Sequence, residues 1–165
     1  MFLLKEKLLL QSLHIFFNNI DNQRKILIVL NSKTKVSLRL LDWFVTNYAK
    51  HNSITICDKI NKSKKKYCFV HLEYKAQLKA YSKKNFDPFC RRNRIHFYFS
   101  NDRFIETTVG QLNFFKWAIQ HKIIDYLSEN VKEIENDMNS VNNNKKAKKK
   151  IANKHDNLRI VLTFK

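Results

Sequence analysis

The chain has 165 residues, 44% of them apolar, and a formal net charge of +18. That length favours one domain with a core of its own. The chain holds one glycine and one proline, which excludes glycine-rich phosphate loops and argues against tightly turned sandwiches and barrels.

So large a positive charge repels itself and seeks polyanions, so DNA, RNA and anionic membrane surfaces are the candidate partners. Part of the excess has another source. Lys (25) far outnumbers Arg (7), and Asn, Ile and Phe are favoured over Ala, Gly and Pro, as an AT-rich genome would produce. Cys57, Cys68 and Cys90 are odd in number and lack framework spacing, which fits a reducing compartment without structural disulfides. Lys5, Glu6 and Lys7 interrupt the first apolar run, so no secretory leader is expected, and no stretch is long enough to span a bilayer.

In chain order, Leu8, Leu9, Leu10, Leu13, Phe16, Phe17 and Ile20 suit a helix within residues 2–20. Residues 25–30 are a short β-branched run and read as a buried strand. Together, residues 1–32 form an N-terminal leader ahead of a folded α+β core at 33–139. A helix over 37–50 follows from Leu38, Leu41, Phe44, Val45 and Tyr48, with Ser37 as N-cap. Ile54 to Cys57 reads as a short strand, the lysine-dense tract Lys59 to Lys66 as an exposed loop, and Tyr67 to Leu72 as a further strand.

Residues 74–84 read as a helix with Lys75, Lys79 and Lys83 on its basic face. Phe86-Asp87-Pro88-Phe89 is a proline turn. Ile95, Phe97 and Phe99 then alternate with His96 and Tyr98, and Phe104 to Thr107 return as the second strand of a hairpin over 94–107. Thr108 and Gln111 match a capping box. Behind them Leu112, Phe115, Ile119, Ile123, Leu127, Val131, Ile134 and Met138 predict one continuous amphipathic helix over 110–138. Its far end is acidic, through Asp125, Glu129, Glu133, Glu135 and Asp137. Residues 139–157, rich in Asn and Lys, are expected to be a disordered linker, and Leu158 to Phe164 a terminal strand-like segment. The basic tail is thus 140–165. The fold class is α+β: a helix-rich single domain with a β-hairpin, one long amphipathic helix and a basic C-terminal tail.

The positive charge is concentrated. Residues 59–103 carry thirteen Lys or Arg against Glu73, Asp87 and Asp102, a net of +10. This is the footprint expected on a phosphate backbone. The candidate nucleic-acid-binding residues are Lys64, Lys65, Lys66, Lys79, Lys83, Lys84, Arg91, Arg92 and Arg94, with Lys148, Lys149 and Lys150 in the tail. Tyr81, Phe86, Phe89 and Tyr98 interleave with them, as base stacking requires. The bland alternative is that these aromatics face the core and the charges solvate the surface. The tail lysines likewise suit non-specific polyanion affinity, a nuclear import signal or a solvated linker.

No catalytic constellation stands out, and the chain is expected to be non-enzymatic and without cofactor. Glu73, Asp87 and Asp102 are isolated carboxylates. Cys68-x-x-His71 lacks a second half-site for zinc, so no metal is assigned and the cysteines read as buried and inert. Cys90, flanked by Arg91 and Arg92, is a weak candidate for a reactive thiol.

The strings SLRLLDWFVTNY (37–48), QLKAYSKKNFDPFCRR (77–92) and TTVGQLNFFKWAI (107–119), with NKHD (153–156) followed by IVLTF (160–164), resemble a group of small basic proteins. These are encoded by nucleocytoplasmic large DNA viruses, the giant viruses of protists. The resemblance runs from about residue 33 to the end and carries over no site residues. It implies a viral protein working in a cytoplasmic factory of the host or carried in the virion. The functional expectation is a nucleic-acid-binding accessory protein for transcription, replication or genome packaging, with DNA favoured over RNA. The alternative is a virion structural or assembly protein that binds a viral partner through helix 111–139.

Overall fold

The computed structural model describes residues 4–30, 35–61, 64–100 and 103–155; the side chains of residues 5, 58–61, 64, 65 and 145–155 fall outside that description. The expected terminal strand at 158–164 therefore lies beyond the described residues. The fold is the expected helix-rich α+β domain, with a second hairpin in addition to the one foreseen.

Two helices open the chain, α1 (Leu4–Phe17) and α2 (Ile20–Leu30). Residues 25–30 are thus helical, not a strand. Asn19 decides this: its side chain accepts from the backbone N–H of Asp21 at 2.8 Å and of Asn22 at 3.4 Å, capping α2. Ile26 and Val29 then face inward while Leu27 and Ile28 stay exposed, a period of three where a strand shows two. Leu13, Phe17, Ile26 and Val29 join the same buried cluster as the rest of the chain.

Helix α3 (Leu38–Trp43) is capped as expected, with Ser37 Oγ accepting from Leu40 N at 3.1 Å. It widens into a π-helical turn (Phe44–Tyr48) and closes with α4 (Ala49–His51). The wide turn lets Phe44, Val45 and Tyr48 all point inward. Next come β1 (Thr55–Asn61) and β2 (Lys64–Phe69), an antiparallel pair in which Ile56 faces Cys68. The tract expected to be a lysine loop therefore belongs largely to two paired strands. Lys, Tyr, Cys and Phe at 66–69 alternate exposed and buried only at Cys68 and then Val70, a weak pattern. Chain direction also changes early: helix α5 (Val70–Asn85) starts where a strand to Leu72 was expected.

Strands β3 (Ile95–Ser100) and β4 (Arg103–Thr107) form the predicted hairpin, with Tyr98 opposite Phe104 and Phe97 opposite Ile105. Its inner face packs on α1, where Phe97 stacks on His14 at 4.3 Å and meets Phe17 edge-on at 5.8 Å.

The expected single helix over 110–138 is three: α6 (Val109–Gln120), α7 (Ile123–Glu129) and α8 (Val131–His155). Lys122 adopts a left-handed conformation, φ 55°, ψ 25°, which stops α6. Asn130 stops α7, its backbone N–H and its side chain both donating to Tyr126 O. The apolar stripe survives both breaks, and all eight of its members, from Leu112 to Met138, are buried. The periodicity thus identified the right core but not the bends in it. Helix α8 also runs to His155, where a disordered linker was expected from residue 139. Ala and Lys are good helix formers, and Val131, Ile134 and Met138 anchor the helix that they extend.

Candidate nucleic-acid interface

The segment between α5 and β3 forms one wall of a cleft of about 1220 Å³. It is pinned from below by Phe86, fully buried against Tyr74, Phe114 and Trp117 with ring centroids 5.6–6.0 Å away. The N-terminal side of α6 holds the rest. Asn113 Nδ2 donates to Asn85 O at 2.9 Å, Gln111 Nε2 to Pro88 O at 2.8 Å, and Thr108 Oγ1 to Cys90 O at 3.4 Å. Asp87 turns the loop by accepting from Phe89 N at 2.8 Å.

The capping box on α6 is thus half made. Thr108 Oγ1 accepts from Gln111 N at 3.2 Å, but Gln111 reaches the loop instead of returning to the cap. The chain's one glycine explains how close the parts come. A Cβ on Gly110 would stand 2.9 Å from the backbone oxygen of Lys84 and 3.4 Å from Cys90 Cβ, so no larger residue fits without backbone movement.

With the loop held this way, Lys83, Lys84, Arg91, Arg92 and Arg94 all line the cleft, and all are exposed. Two unusual backbone positions aim them. Ser82 breaks α5 with φ 65°, ψ 159°, and Asn93 has φ 55°. The first lies immediately before Lys83, the second before Arg94. A non-glycine residue at Ser82's angles costs about 1–3 kcal/mol, and such strain concentrates at functional sites. Thr108, Val109 and Gly110 complete the wall, so the positive end of α6 adds to the field of the side chains.

Two carboxylates also reach the cleft, Glu6 and Asp87. Glu6 pairs with Lys84 at 3.8 Å. Arg94 pairs with Glu106 at 2.8 Å, and that hydrogen bond holds the Glu106 carboxyl below its usual range. Among the described residues, no carboxylate lies within ion-pair distance of Lys83, Arg91 or Arg92. Behind the wall, burial first and Asp87 second push the Asp42 carboxyl up, with Lys83 opposing them.

Five of the expected binding residues therefore meet in one place, and others do not. Lys79 is exposed on α5 but does not line the cleft. Lys66 sits at the opposite end of α6, where its charge acts on His121, about 18 Å along that helix. Lys64 and Lys65 lie on β2, and Lys148, Lys149 and Lys150 on α8, with side chains outside the described residues. Of the interleaved aromatics, Phe86 is core and Tyr81 stacks on it at 6.0 Å; Phe89 and Tyr98 are exposed.

The family of unknown function DUF7197 matches residues 1–160. The chain belongs to that family. The match takes in the N-terminal helices, which the sequence resemblance had left out. Uncharacterized protein L507 of Acanthamoeba polyphaga mimivirus is 42% identical over 126 residues, covering 73% of this chain and 48% of the relative. The chain thus spans about half the length of the curated relative it matches, and the similarity agrees with the resemblance to giant-virus proteins. No solved structure matches.

In this DUF7197 chain the sequence reading missed Glu6 and Gly110 as parts of the cleft. Gly110 carried a signal, being the lone glycine, placed beside a cap. Glu6 carried none, since α1 is far from the loop in sequence. The cysteines are dispersed: Cys57 is exposed on β1, Cys90 is half-buried, and burial pushes the Cys68 thiol up to about 11. His71 Nδ1 donates to Val45 O at 3.1 Å. Among the described residues, no group of three or more His, Cys, Asp or Glu is placed to hold a metal, and no helix is long and apolar enough to cross a membrane.

Proposed function

We propose that this protein is a non-enzymatic nucleic-acid-binding accessory protein of a large DNA virus, acting in transcription, replication or genome packaging. It would work in the host cytoplasm, at the viral factory, or within the virion, with DNA favoured over RNA. One observation carries the reading: Lys83, Lys84, Arg91, Arg92 and Arg94 converge on one cleft, and Lys83, Arg91 and Arg92 lie outside ion-pair distance of every carboxylate among the described residues. Such a wall neutralises phosphates and releases their counterions, so affinity falls steeply with salt.

The alternative, an assembly protein docking through helix 111–139, has less support. The apolar stripe it would use is already buried, from Leu112 to Met138.

Electrophoretic shifts at two salt concentrations test the proposal. Binding should weaken strongly at the higher salt, and Arg91→Glu, Arg92→Glu and Arg94→Glu together should weaken it further. Unchanged binding in the triple variant would reject the cleft as the interface.

A further inference from the structure

The outer face of the β3–β4 hairpin carries three neighbouring rings. Tyr98 and Phe104 are directly opposed with centroids 5.3 Å apart, and His96 meets Phe104 at 4.9 Å. Tyr98 and Phe104 are each about half exposed, at 50% and 52%. Cross-strand pairing accounts for the Tyr98–Phe104 contact. It does not account for a continuous aromatic strip left open to solvent when the same hairpin buries Phe97 on its other face.

The strip is also continuous with the cleft. Arg94 and Ile95 line the cleft, and Ile95 is the first residue of β3. The outward positions 96 and 98 then follow about 7 Å apart along the strand. Phe89, 43% exposed, offers another ring inside the cleft itself. Arg94 flanks the strip and is exposed, whereas Arg103 turns toward α2 and donates to Gln23 Oε1 at 3.3 Å. Glu106 is the one carboxylate among the described residues of the hairpin, and Arg94 engages it.

Phosphates satisfy the cations of the cleft in either duplex or single strand. Open rings discriminate between the two. Bases in a duplex present only their edges, because their faces are taken up by stacking; a single strand exposes those faces to aromatic side chains. We infer that Tyr98, Phe104 and His96 form a base-stacking platform, and that the ligand of the cleft is single-stranded DNA threading from the arginines onto the hairpin. This rests on the reading of the cleft above, from which the choice of DNA is taken.

The test measures binding of an oligothymidylate, the same length of duplex DNA and an oligouridylate to the full chain, by fluorescence anisotropy at low and moderate salt. The single DNA strand should bind about ten-fold or more tighter than the duplex. Tyr98→Leu with Phe104→Leu keeps an apolar cross-strand pair and removes the rings, so it should erase that preference while salt-dependent duplex binding persists. In Tyr98→Trp the preference should remain, and the new indole should be quenched by oligothymidylate and not by duplex.

Duplex bound as well as the single strand, a preference unchanged by the leucine pair, an indole blind to the oligonucleotide, or RNA bound tighter than DNA would each overturn the platform. In those cases duplex or RNA binding that still falls with salt and with charge reversal at Arg91, Arg92 and Arg94 leaves the cleft reading standing. Loss of all salt-dependent binding overturns both.

Discussion

The cationic cleft and the acidic flank of α7 and α8 treat charge in opposite ways. On the flank, Asp125 receives Lys25 of α2, Asp137 accepts from Trp43 Nε1 at 2.8 Å, and Glu133 accepts from the Tyr48 hydroxyl. Each acid closes a contact to an element far away in sequence, and the bond to Glu133, followed by burial, pushes the Tyr48 hydroxyl up to about 12. In the cleft, Lys83, Arg91 and Arg92 form no close ion pair with a carboxylate among the described residues. The acids hold the fold together, whereas these cations are held out by it. Net charge alone, at +18, does not distinguish the two uses.

The comparison breaks most decisively at the arginines. Charge reversal at Arg91 and Arg92, neither of which is ion-paired among the described residues, should reduce DNA affinity by roughly 100-fold or more at low salt, with the thermal midpoint nearly unchanged. A large loss of stability instead would mean these cations serve the fold as the acids do. Gly110→Ala should act on both properties. Its Cβ meets the Lys84 carbonyl at 2.9 Å, and overpacking of this kind costs about 1–3 kcal/mol, set against a helix-propensity gain of up to about 1 kcal/mol. Denaturant unfolding should show a net loss, accompanied by weaker binding as the cleft wall shifts.

On the acidic side, Tyr48→Phe should cost about 1 kcal/mol and leave DNA affinity unaltered; titration of the variant checks the second half. Glu106→Gln releases Arg94 from its carboxylate and should raise affinity about two- to three-fold, in the manner of one added phosphate contact.

The smallest effect is on pH dependence. Burial first, and Lys66 second, hold the His121 imidazole below its ordinary 6.5, with Glu73 opposing. The unfolded chain then binds the extra proton in the window just under 6.5, so stability rises with pH through that window and falls on acidification. His121→Phe should flatten that part of the stability profile, measured by denaturant midpoints across it.

Much of the architecture was written in local chemistry. Ser37 and Thr108 are caps because a hydroxyl beside an apolar period has few other uses, and the hairpin at 94–107 shows because Phe97 and Phe99 alternate with His96 and Tyr98. The run Lys25 to Leu30 misleads because β-branching competes with a cap, Asn19, six residues upstream. The bend at Lys122 left no trace, since a left-handed lysine has no compositional signature and the apolar spacing continues through it. The candidate site was legible as a list of cations and not as a place. Charge runs named Lys83 to Arg94, but only tertiary packing separates them from Lys79 and Lys66, and brings Glu6 and the first turn of α6 against them.

Gly110 gives that packing an evolutionary corollary. Its single hydrogen is the spacer between the last turn of α5, the arginine loop and the start of α6. Every alternative amino acid inserts a carbon at that junction, so a screen for well-folded variants and a screen for ligand retention should discard the same codons there.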